Sequence, residues 1–163
     1  MASLAFRPLS MPRVTRTRTI VAPREQVWDL VSDPHHLPRW WPRAIRVEDV
    51  RQVGSGKRSR WTTVLGTARG RGVRADYRCA SAAAGERYVW EQEIEGTPFE
   101  RILRSSRLEI GLAEAGDGAT SVTLDSSERL RGLSRLGSPM MRVATRRRLD
   151  DALEGLERAV GKQ

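Results

Sequence analysis

Polar and apolar positions alternate with period two between Val14 and Val21, where Thr15, Thr17 and Thr19 interleave with Arg16, Arg18 and Ile20. A β-branched alternation of this kind predicts a strand. Ala22-Pro23 stops it. Pro23 suits a helix start, because its φ is already fixed and the first turn has no use for its missing N–H. From Arg24 to Val31 the residues Val27, Trp28, Leu30 and Val31 form one apolar face, the mark of a short helix. Ser32-Asp33-Pro34 then ends that helix and caps a second. The second carries His35, His36, Leu37 and Trp40, and Pro42 stops it.

From Arg43 to about Leu130 the pattern becomes strand-like, broken by glycine-containing turns such as Gly54-Ser55-Gly56 and Gly70-Arg71-Gly72. It predicts six strands, over residues 45–53, 58–67, 73–81, 87–94, 99–112 and 120–130, the fifth long enough to bend. Trp61, Thr63 and Leu65 share a face, as do Ala75, Tyr77 and Cys79, and Tyr88, Trp90, Gln92 and Ile94. Their neighbours Arg60, Arg74, Arg78, Glu91 and Glu93 then point to water. The final element extends from about Gly132 to Val160 as an amphipathic helix with Leu149, Leu153, Leu156 and Val160 on its apolar stripe, closed by Gly161. Leu133, Leu136, Met140 and Val143 keep the period on a rotated face, and Gly137-Ser138-Pro139 lies between. Either the helix kinks there or Ser138 caps a fresh helix with Pro139 in its first turn; the kink is the reading adopted.

This order predicts an α+β domain: a seven-stranded curved antiparallel sheet gripping one long helix. A helix about 10 Å across cannot fill so wide a sheet, so an internal cavity is expected, with the two short helices at its mouth. The 163 residues suit one such domain, over residues 13–163, after a flexible tail over residues 1–12. The tail lacks the apolar run and small-residue cleavage site of a signal peptide. Cys79, the single cysteine, has no partner for a disulfide. With no apolar run approaching the roughly 20 residues that span a bilayer, a cytoplasmic protein is expected.

Charge complicates the picture. A net charge of +9 invites nucleic acid or an anionic membrane as partner. All but two of the 29 basic residues are arginines, however, and they are spread along the chain as codon usage in a GC-rich genome would spread them. The densest group, Arg142, Arg146, Arg147 and Arg148, reads as a solvated helix face. Nucleic acid is therefore a poor candidate partner, and a membrane surface or acidic partner stays open.

The segment from Ile20 through Ala22-Pro23, Val27-Trp28 and Ser32-Asp33 resembles the polyketide cyclase/dehydrase and lipid-transport family of the START-like, Bet v 1-like superfamily. Leu37-Pro38-Arg39-Trp40-Trp41-Pro42 and the placement of the last helix are similar too, so that the likeness extends from Val14 to Val160. The resemblance implies a helix-grip fold with a ligand cavity, and it does not choose the ligand.

Trp40 and Trp41 either stack on a ligand at the mouth or pack the short helices onto the sheet. Trp61, Tyr77, Tyr88, Trp90 and Gln92 offer an aromatic lining with polar handles, and Met140 and Val143 a flexible border. Of Arg101 and Arg104, any that turned inward would need a carboxylate such as Glu128 or an anionic ligand, and it could stabilise an enolate during cyclisation of a poly-β-ketone chain. His35 and His36 are adjacent, so their side chains diverge by about 100° on a helix and cannot easily share an ion. The Gly54-Ser55-Gly56-Lys57 turn lacks the leading glycine and trailing Ser/Thr of a phosphate loop. No nucleophile elbow, zincin motif or paired-cysteine site is present. No metal or cofactor is expected. The chain reads as a binding or transport protein for a hydrophobic, ring-containing small molecule, with an aromatic polyketide cyclase or a basic membrane-binding accessory protein as alternatives.

Overall fold

A computed structural model of the protein describes residues 13–51, 59–132 and 137–161. The threonine–arginine alternation becomes strand β1, Arg13–Ile20. Helix α1, Arg24–Val31, buries Val27, Leu30 and Val31, and a 3-10 turn over Pro34–His36 leads into the one-turn helix α2, Leu37–Trp40. Six strands follow: β2 Ala44–Arg51, β3 Arg60–Gly66, β4 Gly72–Ala83, β5 Arg87–Glu93, β6 Leu103–Glu114 and β7 Thr120–Leu130. Helix α3, Ser138–Val160, closes the chain.

The seven strands form one antiparallel sheet in the order β1-β7-β6-β5-β4-β3-β2. Strands β2 to β7 are laid down as successive neighbours, whereas β1 returns to pair with β7. Hence α1 and α2 carry the chain from one edge of the sheet to the other. Ile110, Leu112, Val122 and Leu124 line the inner face, and Leu149, Ala152, Leu153 and Leu156 of α3 lie against it, all buried.

Two expectations change. Residues 99–112 do not form one bent strand: Pro98–Arg101 make a 3-10 turn, the fixed φ of proline suiting its first position, and β6 starts only at Leu103. The last helix, expected as one kinked element from Gly132, is described from Ser138: α3 begins there with Pro139 in its first turn and Gly137, not Ser138, in the capping position. Pro139 is harmless there because a first-turn N–H has no helical acceptor. Leu133, Leu136 and the Gly54-Ser55-Gly56 turn lie outside the described residues.

Several contacts fasten α3. Arg16 and Arg18 of β1 point to the helix side, where Arg16 Nε meets Asp150 at 2.7 Å and Arg18 Nη1 meets Glu157 at 3.1 Å. These pairs are solvated, worth about 0–1 kcal/mol each. At the C-terminal end, where helix carbonyls lack partners, Arg39 donates to the Ala159 carbonyl and Gln26 to that of Val160, each at 3.3 Å. Closest of all is Gly155. A β-carbon there would stand 2.3 Å from the Trp40 carbonyl oxygen, so α2 rests directly on the backbone of α3.

In an unencumbered helix interior Gly→Ala stabilises by about 1 kcal/mol. Here Gly155→Ala is expected to destabilise by about 1–3 kcal/mol through overpacking, seen as a lower urea midpoint in a tryptophan-fluorescence melt.

Candidate functional site

Alternation along β3, β4 and β5 sends Trp61, Tyr77, Tyr88, Trp90 and Gln92 to the inner face, and α2 adds Trp40 and Trp41 from the mouth. Trp90 is the hub. Its ring centroid lies 5.2 Å from Trp41, 6.0 Å from Trp40 and Trp61, 6.2 Å from Tyr77 and 6.5 Å from Tyr88. Trp61 and Tyr77, directly paired across β3 and β4, stack at 5.9 Å. Such pairs add about 0.5–1.5 kcal/mol each beyond the area they bury. Burial divides the group in two. Trp40, Trp61, Tyr88 and Trp90 are buried, whereas Trp41, Tyr77 and Gln92 are only partly covered and form the accessible side of the wall.

A polar pair sits against this side. Arg148 Nη2 of α3 donates to Glu128 Oε1 of β7 at 2.7 Å, and the guanidinium lies 6.0 Å from the Trp41 ring centroid. Both charges act on Tyr77. Burial pushes its phenol up to about 12, with Arg148 pulling downward and Glu128 upward. Burial also raises Tyr88 and the Cys79 thiol beside it. Along the same wall Trp40 Nε1, Trp61 Nε1, Thr63 Oγ1, Gln92 Nε2, Glu128 Oε2 and Arg148 Nε are buried with no hydrogen-bond partner among the described residues. Each such atom costs about 1–3 kcal/mol if left unmatched.

The structure thus brings together Trp40, Trp41, Trp61, Tyr77, Tyr88, Trp90, Gln92 and Glu128. Four other candidates stand elsewhere. Arg101 lies in the 3-10 turn before β6 and Arg104 at the start of that strand, both exposed; alternation counted back from Ile110 and Leu108 would turn Arg104 inward, but the pairing with β7 slips by one residue between Leu103 and Ser105 and Leu103 takes the buried place. Met140 and Val143 are 80% and 57% exposed. At about 100° per residue they fall on the side of α3 opposite Thr145, Leu149 and Leu156, beside the exposed Arg147. Met141 is the methionine in phase with the buried stripe. Arg148, the inward arginine, was hidden in a run that reads as a solvated face. Its signal is the four-residue spacing to Ala152 and Leu156, both buried.

Other clusters offer less. His35 Nδ1 bonds Asp33 at 2.9 Å, and His36 lies 3.8 Å from the same carboxylate. Among the described residues no group of three His, Cys, Asp or Glu side chains could hold a metal ion, and no helix is long and apolar enough to cross a membrane. A broad surface concavity of about 1230 Å³ is lined mainly by charged residues of the sheet, including Arg78, Glu91, Arg107 and Asp125. Glu91 already binds Arg78 at 2.8 Å and Arg107 at 3.2 Å, and Asp125 binds Arg13. That concavity is a solvated charge ladder without the aromatic wall.

A family model described as polyketide cyclase/dehydrase and lipid transport matches residues 11–161. The chain belongs to this family. Among solved structures, a START superfamily protein from Mycobacterium smegmatis is 15% identical with a TM-score of 0.76, covering 92% of this chain and 97% of that one. A Thermus thermophilus protein is 22% identical with a TM-score of 0.72, covering 91% and 97%. An aromatase/cyclase from a Streptomyces species is 17% identical with a TM-score of 0.75, covering 94% and 95%. No curated protein matches the sequence. These likenesses establish the START-like helix-grip fold. Membership of the polyketide cyclase and lipid-transport family indicates hydrophobic small-molecule binding or cyclase chemistry.

Both tyrosines of the chain resist ionisation. An ultraviolet pH titration should therefore show no phenolate near the ordinary tyrosine value of about 10 while the protein is folded. The unfolded chain loses its phenol protons first, so Tyr77 contributes stability that is whole below pH 10 and lost as pH rises towards about 12.

Proposed function

We propose that the protein binds a hydrophobic, ring-containing small molecule in a cavity between α3 and the inner face of the sheet. The observation that supports this most is the partly covered side of the aromatic wall, where Trp41, Tyr77 and Gln92 meet unpartnered polar atoms. Core packing accounts for Trp40, Trp61, Tyr88 and Trp90, since these are buried against one another. It gives no reason to aim Gln92 Nε2, Glu128 Oε2 and Arg148 Nε, all without partners, into the same region. A ligand with aromatic faces and a few polar substituents matches that combination.

A second reading, an aromatic polyketide cyclase, is favoured by Arg148. The guanidinium stands near the Tyr77 phenol, as a group stabilising an enolate oxygen would. A carrier releases its ligand unchanged, whereas a cyclase alters the ring pattern of a poly-β-ketone product.

Native mass spectrometry of the purified protein should show a co-purifying ring compound, and a mass equal to the bare chain together with no response to added polycycles would overturn the reading. Trp41→Ala should weaken binding of a polycycle by about tenfold, or 1.4 kcal/mol, with a smaller effect on the urea midpoint, because Trp41 lies on the partly covered side of the wall.

A further inference from the structure

Resting on the ligand-binding reading, we infer that the Glu128–Arg148 pair selects a neutral ligand carrying a hydroxyl group, a phenol or enol, and rejects a carboxylate. The pair is half used. Arg148 Nη2 donates to Glu128 Oε1 at 2.7 Å, which leaves Glu128 Oε2 and Arg148 Nε buried without partners among the described residues. Oε2 can only accept and Nε–H can only donate. A hydroxyl answers both demands at once, giving its proton to Oε2 and taking the Nε–H on its own oxygen. Both open atoms belong to the same ion pair, and the proposed hydroxyl bridges them from the side of the partly covered Trp41 and Tyr77.

A carboxylate ligand fails the same test. Its oxygens accept from Nε–H but bring no proton to Oε2, and they place a second negative charge beside Glu128. The side chain of Glu128 is 11% exposed and that of Arg148 39%, so solvent screens that repulsion only in part. An ether or bare hydrocarbon also fails, since neither supplies a proton to Oε2. The surroundings fit a ring rather than a chain: the guanidinium lies 6.0 Å from the Trp41 ring centroid, and Tyr77 stacks on Trp61 beside it. Gln92 Nε2, also unpartnered, adds a donor for a second oxygen of the ligand.

Tryptophan-fluorescence titration of the full chain at neutral pH with naphthol, naphthoate, methoxynaphthalene and naphthalene tests this directly. Naphthol should bind about tenfold or more tightly than the other three. In Glu128→Gln the repelling charge is gone and Arg148 has lost its counter-ion, so the preference should move by about tenfold towards naphthoate. Should that variant fail to fold, the wild-type comparison of naphthol with methoxynaphthalene decides alone, because the two differ in the hydroxyl proton. Equal binding of all four probes, tighter binding of naphthoate to the wild type, or methoxynaphthalene matching naphthol would overturn the inference and leave the ring-binding reading standing. Binding of none would overturn both.

Discussion

The contact on which the rest of this structure leans is between Gly155 and the Trp40 carbonyl, where a β-carbon would come within 2.3 Å of the oxygen. Glycine inside a helix costs about 1 kcal/mol relative to alanine, and α3 accepts that cost at the position where α2 must touch its backbone. The contact decides where the linker from β1 to β2 can lie. With α2 seated, Trp40 is carried to Trp90 at 6.0 Å, and Trp41 to the same ring at 5.2 Å. Arg39 and Gln26 reach the last carbonyls of α3 from the same two short helices. A single missing methyl group thereby joins the helix ends, the crossing segment and the aromatic wall.

A division of labour along α3 follows. From Leu149 to Ala159 the inward residues are apolar or small and fully covered, as a seal requires. One position earlier the inward group is Arg148, paired with Glu128 and lying near Trp41. Charge thus meets the inner aromatic wall here, next to residues that are only partly covered. A partly buried ion pair of this kind is a weak source of stability, because desolvation offsets much of its attraction. Its effect is to fix the position and direction of charge within an otherwise aromatic surface.

Much of this was legible in the sequence, and each miss has its own physical cause. Period two identified all seven strands and sent Trp61, Tyr77, Tyr88, Trp90 and Gln92 to one face, because a pleated strand offers only two directions. The helix is less forgiving. Met140 and Val143 fit the spacing of apolar residues, yet the phase of α3 is set by Leu149, Ala152 and Leu156, and a change of phase through Gly137-Ser138-Pro139 put the wrong methionine inside. Arg148 was lost for the complementary reason: three neighbouring arginines are solvated, and only its register with Ala152 separates it from them. Charge composition cannot reveal which member of a basic run turns inward. Arg101 failed on a boundary, since Pro98 begins a 3-10 turn where the residue pattern alone continues a strand, and Arg104 on a one-residue slip in the pairing of β6 with β7.

Burial therefore separates the side chains of the wall into two groups. Trp40, Trp61, Tyr88 and Trp90 hold the sheet, the crossing segment and one another together, and they would do so whatever the ligand. Trp41, Tyr77, Gln92, Glu128 and Arg148 contribute less to that packing and face the region where a ligand would sit. Such a separation lets one fold serve many ligands, because the outer group can change while the aromatic hub keeps the cavity walls in place. It also bears on the fold's looseness in the sequence comparisons: chains 15–22% identical share this architecture, as expected when the backbone demands little beyond alternation, one close helix contact and a covered apolar face. In this chain Arg148 is held by Glu128 at 2.7 Å, so the aromatic wall carries a fixed charge pair that the shape of the sheet alone would not supply.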